Sequence, residues 1–227
     1  MMNAEGGNAY QQTALTHVSL FPQAMSTPRT LLDRNRAWAE RVQAESPDFF
    51  DDLADGQSPD VLWIGCADSR VPANQIVDCE PGELFVHRNS ANLIDKSDQN
   101  GMSVLQYAVE SLGVDHVIVC GHYGCGGVRA ALDDAGEGPL RDWLRPLQDL
   151  LHRHADELDE LEDAARWDRG CEINVEAQVQ RIARTTPVQQ AWEEGEDLTI
   201  HGWIYQLDDG RIRDLNVSVD ATTFAGS

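Results

Sequence analysis

The sequence predicts an α/β fold: a mainly parallel central sheet of about four strands with an antiparallel edge strand, flanked by helices and preceded by an N-terminal helical arm. Three observations predict it. The apolar runs at 61–65 (VLWIG) and 116–121 (HVIVCG) have the length and composition of strands buried on both faces. Segments with helical spacing follow them, and an order of strand, helix, strand, helix implies parallel pairing. Near the end, DLTIHGWIYQL, the turn Asp209-Gly210 and RIRDLNVSV read as a hairpin, which supplies the antiparallel edge.

The elements follow in order. Residues 1–27 are polar, small and without period, and are expected to be a mobile extension. From Thr30, TLLDRNRAWAERVQAES is an amphipathic helix with Leu31, Leu32, Trp38 and Val42 near one side; Pro47 ends it or starts the next short helix, PDFFDDLAD. ELFVHRN at 83–89 is a strand entered from the turn Glu80-Pro81-Gly82. Val104, Leu105, Ala108, Val109 and Leu112 are spaced as on a helix, which Gly113 should stop. CGGVRAAL opens another helix, and 140–195 is helical throughout. Its acidic stretch, ADELDELEDAARWD at 155–168, is a solvated face. Residues 28–220 are expected to form one domain and 221–227 a C-terminal tail.

Three soft metal ligands stand out: Cys66 at the end of the first strand, and His122 with Cys125 in H-Y-G-C-G-G after the third. Thiolate and imidazole are preferred ligands of Zn²⁺, and strand ends of a parallel sheet gather ligands at one edge. H-x-x-C alone is a weak signal; the third ligand at an equivalent strand end makes it specific. Three ligands leave the fourth position open, as in catalytic zinc sites. Cys79 or Cys120 would close such a site, but Cys120 follows an apolar run and reads more simply as a core thiol, like Cys79 and Cys171.

In C-A-D-S-R, Asp68 lies two residues beyond the ligand and Arg70 two further. A carboxylate beside a thiolate is repelled unless a cation holds it, and the Arg70 fork can keep Asp68 ionised and aimed. Taken alone the pair also fits an ordinary loop salt bridge.

With C-A-D-S-R at 66–70 and H-Y-G-C-G-G at 122–127, the chain resembles the β-class carbonic anhydrases from about residue 30 to 220, EPGELFVHRN and HGW included. The resemblance implies zinc on Cys66, His122 and Cys125, a catalytic dyad of Asp68 and Arg70, and reversible hydration of carbon dioxide to bicarbonate and a proton by hydroxide that Asp68 orients. It implies a homodimer or dimer of dimers, in which the N-terminal helix embraces the neighbour and covers its apolar face. Trp63, Arg88 and Tyr205 match the triad that holds a regulatory bicarbonate in one subtype. There Asp68 leaves Arg70 to become the fourth zinc ligand, and Val71 lies on the moving loop. This closed arrangement is the one expected near neutral pH. The same zinc site would also suit hydrolysis of carbon disulfide or carbonyl sulfide, and the fold a zinc- or anion-binding protein without activity.

Charge narrows the partners. There are 39 acidic and 17 basic residues, a formal charge of −22, and Lys96 is the only lysine. Such a surface repels nucleic-acid phosphates and anionic membranes. No stretch reaches the length of an apolar membrane span. The first 28 residues hold no basic residue and no apolar targeting core, and five cysteines, at 66, 79, 120, 125 and 171, do not make a disulfide framework. A cytoplasmic location is therefore expected. Acid excess with almost no lysine also suits a high-salt habitat, where counterions screen self-repulsion. Unfolding followed against KCl should show stability rising steeply with salt; full stability in dilute buffer would count against this reading.

Overall fold

A computed structural model of the chain describes residues 27–225. The expected mobile extension lies outside the described residues except for Thr27, as do the last two residues of the tail. By internal contacts the chain divides into two units, 1–52 and 53–227.

In the first unit, helix α1 (Pro28–Glu45) starts two residues before Thr30, where the sequence places it. The Thr27 hydroxyl accepts from Thr30 N at 3.2 Å, and Pro28 occupies the first turn, where no amide is needed. None of its residues is buried; Leu31 and Leu32 are 52% and 64% exposed. Trp38 meets Phe50 of the next helix, α2 (Phe49–Ala54), edge to face at 5.7 Å.

The rest of the chain runs β1 (Val61–Cys66), α3 (Ala73–Ile76), β2 (Leu84–Asn89), α4 (Gln99–Gln106), β3 (His116–His122), α5 (Gly126–Leu132), α6 (Gly138–Arg153), α7 (Ala155–Leu158), α8 (Asp163–Ala183), α9 (Thr186–Glu194), β4 (Thr199–Tyr205), β5 (Ile212–Asp214) and α10 (Ala221–Phe224). The strand order is β2-β1-β3-β4-β5. The first four strands are parallel and β5 is antiparallel to β4, as the sequence predicts.

Three details differ from expectation. The helix expected at 101–113 begins at Gln99, because the Asp98 carboxylate accepts from Asn100 N and Gly101 N at 3.1 and 3.2 Å. It then widens into a π-helical stretch, Tyr107–Leu112, before Gly113 stops it at φ 66°. The second hairpin strand is shorter than RIRDLNVSV. The Asp214 carboxylate accepts from Asn216 N at 2.8 Å and Asn216 takes φ 58°, a local turn that breaks the ladder until Val219 bridges back to Ile200. Finally, residues 221–224 of the expected tail are helical, started by a capping box at Asp220.

The core lies between the sheet and α8. Leu62, Ile64, Val117, Val119 and Ile200 pack with Val175, Val179 and Ile182 of that helix. On β4 only alternate residues, Ile200, Gly202 and Ile204, are buried, the period of a strand facing one layer. The helix comes close because glycines receive it. A methyl on Gly121 would lie 2.5 Å from Val175 Cγ2, and one on Gly202 2.5 Å from Val217 Cγ2 and 3.1 Å from Val179 Cγ2. Among the described residues no helix is long and apolar enough to cross a membrane.

Because these contacts leave no room, Gly121→Ala and Gly202→Ala should each destabilise the protein by about 1–3 kcal/mol through overpacking. Chemical denaturation measures this, and unchanged midpoints in both variants would contradict the close seat of α8.

Candidate metal centre

Parallel pairing sets the site. β1 lies between β2 and β3, with Gly65 opposite both Arg88 and Cys120. The chain leaving β1 at Cys66 therefore emerges beside the chain leaving β3 at His122. The ligand atoms of Cys66, His122 and Cys125 lie within 4.8 Å of one another, and all three residues are buried. The two sulfurs are 3.9 Å apart.

His122 is turned for a metal. Its Nδ1 lies 2.9 Å from the Tyr123 carbonyl, which can only accept, so Nδ1 carries the proton and Nε2 keeps its lone pair. That Nε2 is buried and has no hydrogen-bond partner. Ligating histidines are commonly fixed in this way, through a main-chain carbonyl on the other nitrogen. The thiols fit as well. The Cys125 thiol, with nearby amides, favours the Cys66 thiolate against the cost of burial and lowers its pKa. Cys125, beside that thiolate and itself buried, is held high. A divalent cation would replace the shared proton and ionise both sulfurs. Two thiols and an orphaned imidazole nitrogen suit Zn²⁺ in type and number.

Asp68 and Arg70 form the expected dyad. Asp68 Oδ1 accepts from Arg70 N and Nε, both at 2.9 Å, and Oδ2 accepts from Nη2 at 2.7 Å. These bonds to Arg70 hold the carboxyl well below the usual carboxylate range. Arg70 Nη2 also donates to Gly124 O at 3.3 Å, which ties the two ligand loops together. Asp68 stays on Arg70, with Oδ2 3.9 Å from His122 Nε2, because the fork and the main-chain amide saturate the inner sides of the carboxylate. A cavity of about 300 Å³ opens beside it, lined by Cys66, Ala67, Asp68, Ala91, Gly127 and Leu140 among others.

Of the three residues expected to hold an anion, two lie in one apolar cluster. Trp63 is buried edge to face with Trp203 at 6.2 Å, and Tyr205 packs on the same apolar cluster. Arg88 instead reaches the main chain, donating from Nε to Cys66 O at 2.7 Å and from Nη2 to Asp68 O at 2.6 Å. Cys120 packs in the Trp63 cluster, where burial pushes its thiol up, and it stands outside the ligand group. Sequence reasoning missed Trp167, whose Nε1 donates to Cys125 O at 2.9 Å, and the pair Glu172 and Arg213 behind Tyr123. They lie 42 or more residues from the groups they hold, so no local motif reveals them.

Comparison with known proteins agrees with this geometry. The carbonic anhydrase family model matches residues 61–212. A carbonic anhydrase of Emericella nidulans is 47% identical over 188 residues, which cover 82% of this chain and 82% of that protein. Among solved structures, a tetrameric β-carbonic anhydrase of Sordaria macrospora has a TM-score of 0.82 at 39% identity, covering 85% of this chain and 98% of its own. The Coccomyxa β-carbonic anhydrase in complex with acetazolamide has a TM-score of 0.84 at 37% identity, covering 88% and 91%. The chain belongs to the β-carbonic anhydrase family.

Proposed function

We propose that this protein catalyses the reversible hydration of carbon dioxide to bicarbonate and a proton, with Zn²⁺ held by Cys66, His122 and Cys125. The observation that carries this is the orphaned Nε2 of His122, facing two thiols beside a carboxylate that Arg70 fixes in place. Bound zinc would supply the Lewis acidity that brings the ionisation of water down towards neutral pH. The chain's own residues do the rest. Asp68 remains ionised, and the side of its carboxylate turned from Arg70 can accept a hydrogen bond from the attacking water and aim it. Its depressed pKa makes it an orienting group rather than a proton store, so the released proton passes to solvent or buffer. Ala67, Ala91 and Leu140 give the cleft an apolar wall for an uncharged, apolar gas.

Regulation is proposed at Arg88, with Trp63 and Tyr205. Arg88 spends its donors on the carbonyls of Cys66 and Asp68, so bicarbonate pairing with it would compete for the bonds that hold the catalytic loop. Asp68 would then be freer to leave Arg70 for the metal, and bicarbonate would inhibit by favouring that state.

Residues 28–220 are proposed as the catalytic domain, assembled as a homodimer or dimer of dimers in a reducing cytoplasm. The tetrameric Sordaria relative, the exposed Leu31 and Leu32, and five free cysteines support this.

Stopped-flow hydration of carbon dioxide with a pH dye tests the activity. Asp68→Asn should lower kcat/KM about 10²-fold, the scale of misaligning a reacting group. No activity in the zinc-loaded parent at alkaline pH would refute the enzyme reading. The depressed pKa of Asp68 also has a sign: the group stays charged as pH falls through the usual carboxylate range, so loss of activity above pH 5 should have another source. Tyr205→Phe and Trp63→Phe should weaken inhibition by bicarbonate; inhibition unchanged in both variants would sink the regulatory proposal.

A further inference from the structure

The orientation of His122 is set from outside the ligand group. Its Nδ1 donates to the Tyr123 carbonyl, so the ring plane follows wherever that carbonyl lies. Tyr123 is anchored at both ends. Its amide donates to Tyr205 O at 3.1 Å, and its hydroxyl donates to Glu172 Oε1 at 2.6 Å. Arg213 Nη2 donates to the same hydroxyl and to Glu172 Oε1, while its guanidinium carbon lies 5.8 Å from the centre of the Tyr123 ring. Glu172 also accepts from Arg169 at 3.2 Å, and Arg169 bonds Glu157 and Glu176 at 2.5 and 2.6 Å.

Three elements distant in sequence thus converge on one hydroxyl: the loop after β3, helix α8 through Glu172, and strand β5 through Arg213. A surface salt bridge with no further role would not need to enclose a tyrosine next to a metal ligand. Helix α8 also holds the other ligand of this loop, through the bond from Trp167 to Cys125 O. We propose that Tyr123 is a positioning residue: the clamp of Glu172 and Arg213 on its hydroxyl fixes the carbonyl that orients His122 towards the metal. This rests on the metal reading proposed above.

The test uses the full chain loaded with zinc, and the same chain loaded with cobalt, whose thiolate and d–d absorption bands read the ligand geometry. In Tyr123→Phe the metal content should stay at one per chain, the d–d bands should shift, and zinc should pass to a chromogenic chelator about tenfold faster, the low end of what outer-shell partners contribute. Glu172→Gln should move both readouts in the same direction, which keeps the test open if one variant folds poorly. Adding Arg213→Ala to Tyr123→Phe should bring little further loss, since the groups act as one unit. Arg145→Ala, which removes an exposed pair 3.6 Å long with Asp142, should leave both readouts at the parent values. Parent-like spectra and zinc release in both Tyr123→Phe and Glu172→Gln would overturn the clamp, as would strictly additive losses in the double variant. Absence of a cobalt–thiolate band in the parent chain would overturn the metal reading, and the clamp with it.

Discussion

The parallel pairing of β1 with β3 is the constraint on which the site depends. Neighbouring strands lie about 4.8 Å apart, so side chains at adjacent strand ends can share one small ion. The register that sets Gly65 against Cys120 brings Cys66 level with the start of the H-Y-G-C turn, and Cys125 returns from that turn to meet both. A slip of one residue would turn the strand over and carry the thiol to the other face. β2 completes the frame from the far side, where Asn89 O accepts from Ala67 N at 2.8 Å and Arg88 holds the carbonyls of the same loop.

Burying two thiolates beside the open lone pair of an imidazole is costly unless a cation compensates. The apolar packing around Cys66 and Cys125 deepens that cost, since Val71, Ala91, Leu93 and Val128 share their cluster. The same packing keeps the donors close and dry, so a divalent ion there interacts strongly with its ligands. At the rim the logic reverses. Arg70 and Arg88 are planar forks rather than point charges, and each satisfies two acceptors at once.

Helix α8 joins core and chemistry. One face carries Val175, Val179 and Ile182 into the sheet, seated where Gly121 and Gly202 leave space. The preceding turns carry Trp167 and Glu172 to the loop that holds His122 and Cys125. The position of the ligand loop is thus coupled to the packing of the largest core cluster, and a disturbance of that packing reaches the donors without touching them.

Much of the fold and the inner site was legible in the sequence. The runs VLWIG and HVIVCG read as buried strands, Gly113 as a helix stop, and Cys66, Asp68, Arg70, His122 and Cys125 stood out by residue type and spacing, with their joint roles implied by the family resemblance. Less was legible where the answer depended on competition between partners. The bonds from Arg88 to the carbonyls of Cys66 and Asp68 were not legible, because they follow from the β2 register that sets it opposite Gly65. The RIRDLNVSV strand is cut short by an aspartate turn that alternation cannot reveal. By itself, then, the sequence determined the order of the main strands and helices and the candidate ligands Cys66, His122 and Cys125, since both are carried by short local patterns. Only the tertiary structure decided which side chains hold those ligands, because Tyr123, Trp167, Glu172 and Arg213 meet through long-range packing that leaves no periodic trace in the chain.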